Sequence, residues 1–161
     1  MRPLSLLLAA LAVTACATDA SPADPERPRM TRELPEDALR AIDPEAAGSP
    51  GAIELTYNGI EMAWISDTTY DRMRLVAPVR GASDLTPNQI GAILQANYHS
   101  ALDARYGLSQ GVLYAAFIHP LGPLTPEEIV SAVRQVSNLV LTFGSTYSSG
   151  ELQYQEQGQA L

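Results

Sequence analysis

The chain has 161 residues, 46% of them hydrophobic, and a formal charge of −8. That is enough for one globular domain and too acidic for a nucleic-acid binder, so no DNA or RNA partner is expected. All ten cationic side chains are arginine and there is one cysteine, which excludes an internal disulfide.

Residues 1–16 (MRPLSLLLAALAVTAC) combine an early Arg2, an apolar run over 4–13 and small residues ahead of Cys16. This is the pattern of a secretory signal peptide. About ten apolar residues fall short of the roughly twenty that a bilayer span needs, so residues 1–15 are expected to be removed. Val13, Thr14, Ala15 and Cys16 resemble the bacterial lipobox. That resemblance implies that Cys16 is acylated, palmitate included, and becomes the mature N-terminus. Several acyl chains on one residue hold firmly where one chain is marginal, so the membrane is an expected partner through Cys16. Ala17, where inner-membrane lipoproteins carry Asp, implies a lipid-anchored place in the bacterial cell envelope, at the outer membrane facing the periplasm.

Residues 16–51 carry six prolines after the anchor, from Pro22 to Pro50, with few large apolar side chains, and read as a semi-extended spacer. Within it, 34–42 (LPEDALRAI) has Leu34, Leu39 and Ile42 spaced for a short docking helix.

The domain is expected over residues 52–150. Ile53, Leu55 and Tyr57 alternate with polar residues, Asn58-Gly59 supplies a hairpin turn, and Ile60, Met62 and Trp64 alternate again. A third strand over 72–79 places Met73, Leu75 and Ala77 on one face and Arg72, Arg74 and Val76 on the other, with Pro78 confining it to an edge or an end. Thr86, Pro87 and Gln89 form an N-terminal capping box for a helix running to about Asp103. Its apolar stripe of Ile90, Ile93, Leu94, Ala101 and Leu102 is expected to be buried. A second hairpin follows, with a three-residue turn at Ser109-Gln110-Gly111 and a strand closed by His119-Pro120. Thr125, Pro126 and Glu128 repeat the capping logic for a helix carrying Ile129, Val133, Val136, Val140 and Phe143. Those five side chains gain a gross 7–15 kcal/mol, roughly, less than the backbone entropy of some eighteen residues, so the helix must lie on the sheet. Residues 151–161 read as a tail. The order (α)βββαββα defines a two-layer α+β fold, an antiparallel sheet of about five strands with helices on one face.

This order, the Leu94-to-Asn97 LxxN pattern, the hairpin ending in His119-Pro120-Leu121 and the Leu124-Thr-Pro-Glu-Glu helix start resemble the type III secretion chaperone-like fold and, within it, the YbjN-like regulators. The resemblance implies a non-enzymatic protein- or peptide-binding domain, chaperone-like or regulatory and often homodimeric, gripping its partner on a sheet edge or an apolar helix face.

The polar candidates are Arg72, Arg74, Asn97, His99, Asp103, Arg105 and His119. His99 and Asp103, four apart on a helix, share a face on which a carboxylate orients an imidazole. With His119 they define the alternative, a small periplasmic hydrolase or metal-dependent enzyme. Their structural reading is charge at a helix end and hydrogen bonds to the next hairpin. Arg72 and Arg74 share a strand face that can pair with Asp71 or Asp103 or receive an anion, and Asn97 needs partners wherever it is buried. Ser145, Ser148 and Ser149 lie in G-S-T-Y-S-S-G, which is not a nucleophile elbow. With no phosphate loop, dinucleotide fingerprint or cysteine pair in the sequence, no cofactor is expected.

Overall fold

The computed structural model describes residues 33–150. Cys16, the lipobox and residues 151–161 lie outside the described residues. Helix α1 (Glu33–Ile42) is followed by strands β1 (Ala47–Ser49), β2 (Ala52–Tyr57), β3 (Ile60–Asp67) and β4 (Arg72–Gly81). Helix α2 (Pro87–His99), strands β5 (Arg105–Ser109) and β6 (Val112–His119) and helix α3 (Pro126–Leu141) complete the order. The strands form one antiparallel sheet in the order β1-β2-β3-β4-β6-β5. Helix α3 lies across β4, β6 and β5, α1 packs on α3 and β2, and α2 stands beside β5. This is the two-layer α+β class read from the sequence, with six strands where about five were expected.

The additional strand is β1, whose three residues Ala47, Gly48 and Ser49 are all exposed. With no apolar alternation to announce it, β1 exists only because β2 offers it an edge. Residues 33–51, read as the end of a spacer, thus contribute both α1 and β1 to the fold. Leu39 of α1 is fully buried and Ile42 packs against the core, while the Leu34 side chain lies outside the described part.

Every second residue of the long strands points into the helical layer. Ile53, Leu55, Met62, Trp64, Met73, Leu75, Ala77, Leu113, Ala115 and Phe117 meet Ile129, Ala132, Val133, Val136 and Leu139 of α3. Both capping boxes form as expected, at Thr86 with Gln89 and at Thr125 with Glu128.

Four local expectations are corrected. The second hairpin turn has two residues, because Ser109 pairs with Val112. Gln110 and Gly111 both take positive φ, 47° and 78°, the same primed geometry that Asn58 and Gly59 adopt in the first hairpin. Pro78 sits in a central strand, not at an edge or end; the register shifts between Pro78 and Arg80, and that irregularity accommodates the missing donor.

Helix α2 stops at His99, short of Asp103. The amides beyond it find other acceptors. Leu102 donates to Ser149 Oγ (2.6 Å), and Asp103 and Ala104 both donate to Gln135 Oε1 (2.9 and 3.0 Å), so those donors have no need of another helical turn. The fourth correction concerns the buried face of α2. Ile93 and Ala96 are buried, but Ile90 and Leu94, expected in the core, are 46% and 66% exposed.

Candidate functional site

The polar residues singled out from the sequence do not converge on one point. Asp103, displaced from α2, faces Gln135, whose Nε2 donates to Asp103 Oδ2 at 3.4 Å. The His99 ring stands edge-on to Tyr98, and His119 Nδ1 donates to the Pro120 carbonyl at 2.7 Å while its ring stacks on Phe117. No hydrogen bond or ion pair joins any two of His99, Asp103 and His119. Among the described residues no group of three or more His, Cys, Asp or Glu is placed to hold a metal ion.

Arg105 turns back on the chain, donating to the carbonyls of Ala101 (2.9 Å) and Ala104 (3.0 Å). Arg72 donates to the Asp71 carbonyl, and the Arg74 side chain has no hydrogen bond or ion pair among the described residues. The ring hydroxyl of Tyr106 donates to the Leu139 carbonyl at 2.6 Å. Burial pushes its ionisation above the ordinary range and outweighs the Thr142 hydrogen bond that lowers it, so this phenol is a neutral pin between β5 and α3.

Asn97 has a specific task at the sheet edge. Its Nδ2 donates to the Tyr106 carbonyl (3.0 Å) and its Oδ1 accepts from the Tyr106 amide (2.8 Å). One amide side chain therefore stands in for a neighbouring strand on the free edge of β5. Asp43 does the same at the other side, where its carboxylate accepts from the Thr56 amide of β2 at 2.7 Å, just past the end of β1. Edge strands with free backbone groups invite another chain to pair, and both of these sites are already occupied by the protein's own side chains.

The sheet face away from the helices is different. Three rows of cross-strand neighbours run over it. The middle row is Glu54–Ala63–Val76–Ala116–Arg105, one flanking row is Ala52–Ile65–Arg74–Ile118, and the other carries Glu61, Pro78 and Tyr114. Small side chains in the middle and larger ones beside them leave a shallow trough over β2 to β4. Depressions of about 450, 580 and 370 Å³ share Glu54 and Ala63, then Ile65, with Tyr114 and Ile118 of β6 at their margin. Ile65 and Ile118 are 46% and 59% exposed on its wall, and no element among the described residues covers them.

None of these residues was singled out from the sequence, although a signal existed. Strand β6 (VLYAAFIH) is apolar at both parities, the mark of a strand meant to be covered on both faces.

A second apolar surface lies on α2. Ile90, Leu94 and Tyr98 (77% exposed) follow one another at i, i+4 and i+8, and the helix from Pro87 to His99 contains no Asp, Glu, Lys or Arg. Gly91 lies on the same face. A mid-helix glycine costs about 1 kcal/mol relative to alanine, and a Cβ there would meet nothing within 4 Å, so no contact among the described residues requires it.

No protein-family model matches the chain and no curated protein matches it in sequence. Solved structures do match it in shape. A chain of the Yersinia pestis type III secretion chaperone SycH in complex with a stable fragment of YscM2 superposes with a TM-score of 0.56 at 15% identity, over 70% of this chain and 98% of that one. The ExsC–ExsE complex matches with 0.53 at 17% identity over 70% and 91%, and the HopA1–SchA chaperone–effector complex with 0.51 at 14% over 69% and 90%. At these identities the likeness is one of fold. The described residues have the antiparallel, helix-backed fold of type III secretion chaperones.

Proposed function

We propose that the chain is an envelope lipoprotein whose domain binds a segment of another protein on the open face of its sheet, without chemistry, and pairs with a second copy through α2. The observation that carries the binding reading is the apolar sheet face through Ala63, Val76 and Ala116, flanked by exposed Ile65 and Ile118, which no described element covers. A contiguous apolar surface left open in this way is a place for a partner to dock. The structures of similar fold support it, since one is a chaperone–effector complex and another a chaperone with a bound protein fragment.

The test is Ala116→Arg. Arginine beside Val76 raises the open face and brings in an unpaired charge, so affinity for the partner is expected to fall by about a hundredfold. Ala116 is half-buried on the face away from the helices, where a longer side chain can extend into solvent, so the melting temperature should stay within about 2 °C. Unchanged binding would place the contact elsewhere.

Pairing through α2 rests on charge. In a molecule with a net charge of −8, the uncharged α2 face can meet its own copy without like-charge repulsion, and Gly91 lets the two backbones approach. The anchor rests on residues 13–16 of the sequence. Cys16→Ser is expected to remove palmitate labelling and release the protein from the membrane fraction; retention of both would rule the anchor out.

A further inference from the structure

The binding proposal leaves open what chemistry the open face selects, and the cations of β4 bear on it. Arg72, Arg74 and Arg80 all stand on this strand. Arg80, past the register shift, reaches the Phe143 ring just beyond α3, 5.3 Å from its centroid. Arg72 and Arg74 stay on the open face beside Val76.

The donors of these two are largely unspent. Arg72 donates to a neutral group, the Asp71 carbonyl, at 3.3 Å, and Arg74 has no hydrogen bond or ion pair among the described residues. The nearby carboxylates are engaged elsewhere. Asp67, opposite Arg72, accepts from the amides of Thr69 and Tyr70 (2.8 and 3.2 Å), and Asp71 accepts from the Gly122 amide (2.6 Å). Those bonds hold turns, and neither acid comes within ion-pair distance of Arg72 or Arg74. A guanidinium has five N–H donors in a fork that fits a carboxylate, so both side chains can still take one.

Their surroundings are aliphatic. Arg74 lies between Ile65 on β3 and Ile118 on β6, one interstrand spacing of about 4.8 Å to either side. A depression of about 370 Å³ is lined by these three residues with Asp67, Arg72 and Met73. In open water an ion pair with Arg74 would be worth little. A partner that covers Ile65 and Ile118 removes that water and makes the same pair stronger. In a molecule of net charge −8, this is also a spot on the open face where an acidic group meets attraction.

Resting on the reading that the open face takes a protein segment, we infer that Arg74, with Arg72 beside it, selects segments in which an Asp or Glu is flanked by aliphatic residues, the carboxylate on the guanidinium and the aliphatic groups on Ile65 and Ile118.

The experiment uses three blocked, fluorescent peptides that share two leucines on each side of a central residue, which is Glu, Gln or Lys. The Glu peptide is expected to bind the full-length protein at least about tenfold tighter than the Gln peptide, with the Lys peptide weakest and the differences shrinking in about 0.5 M salt. Arg74→Gln should bring the Glu peptide to within about twofold of the Gln peptide, and Arg74→Glu should put the Lys peptide first. Arg74 is exposed and has no structural partner among the described residues, so both variants should keep the wild-type melting temperature to within about 2 °C. Arg134→Gln removes the same charge from an exposed position on α3 and should leave the order of the three peptides unchanged.

Equal affinities for the three peptides, all lost in Ala116→Arg, would overturn the selection and leave the binding face standing. A preference for Glu that survives Arg74→Gln, or that falls as far in Arg134→Gln, would overturn the assignment to Arg74. No binding of any peptide would overturn the selection and count against the binding face itself.

Discussion

Gln135→Leu is expected to lower the free energy of unfolding by about 2–4 kcal/mol, the largest loss from any single uncharged side chain outside the apolar core. Gln135 is 5% exposed on α3, among Val133 and Val136, where an apolar residue would be the simpler choice. Its Oε1 accepts from two consecutive amides, Asp103 and Ala104, while its Nε2 donates to Ser131 Oγ (3.1 Å) and Asp103 Oδ2.

Leucine fills the same space and accepts nothing, so two buried amides lose their acceptor and the link from α2 to β5 loses the reason for its shape. Denaturant titration and calorimetry measure this directly. The expected fall in melting temperature is about 10 °C. A loss under about 0.5 kcal/mol would mean that water serves those amides as well as Gln135 does, and that the turn does not depend on α3.

Leu94→Asp is expected to turn a dimer into a monomer, with the mass measured by light scattering halved and no loss of helix content. Leu94 is central to the exposed stripe, between Ile90 and Tyr98, and Gly91 opens the backbone beside it. In a two-fold pairing, each copy's Leu94 meets the same region of its mate. One substitution therefore places two carboxylates in the contact and raises the dissociation constant at least about a hundredfold. Because the side chain is 66% exposed, the fold should tolerate the change. A wild-type chain that is monomeric at high concentration would remove α2 as a self-association surface, and the neutral helix would then need another partner.

The sequence makes most of this fold readable, for a reason visible in particular residues. Alternation in β4 separates Met73, Leu75 and Ala77 from Arg72, Arg74 and Val76, and capping boxes of one kind, Thr86 with Gln89 and Thr125 with Glu128, start α2 and α3. These signals are local. Strand β1 has no such signal, because three small residues become a strand only against β2. The end of α2 has none either, since what stops it is Gln135 and Ser149, more than thirty residues further along the chain.

The open sheet face was hidden by the same logic that reveals the core. A strand apolar at both parities, such as β6, says that both faces are covered, and the sequence does not say whether by the protein itself or by another molecule. Ile90 and Leu94 show the reverse case. Helical spacing identifies an apolar stripe, but only the fold shows that α2 turns Ile93 and Ala96 inward and leaves the others in water. The cluster of His99, Asp103 and His119 drew attention through residue chemistry, and it dissolves once Asp103 leaves the helix.

The central claim is that a partner segment lies on the open sheet face, and the direct measurement is its dissociation constant for wild type, Ala116→Arg and Leu94→Asp side by side. The expected result is a loss of about a hundredfold for Ala116→Arg and a change below about threefold for Leu94→Asp. The reverse order would contradict the claim and move the partner to the exposed face of α2.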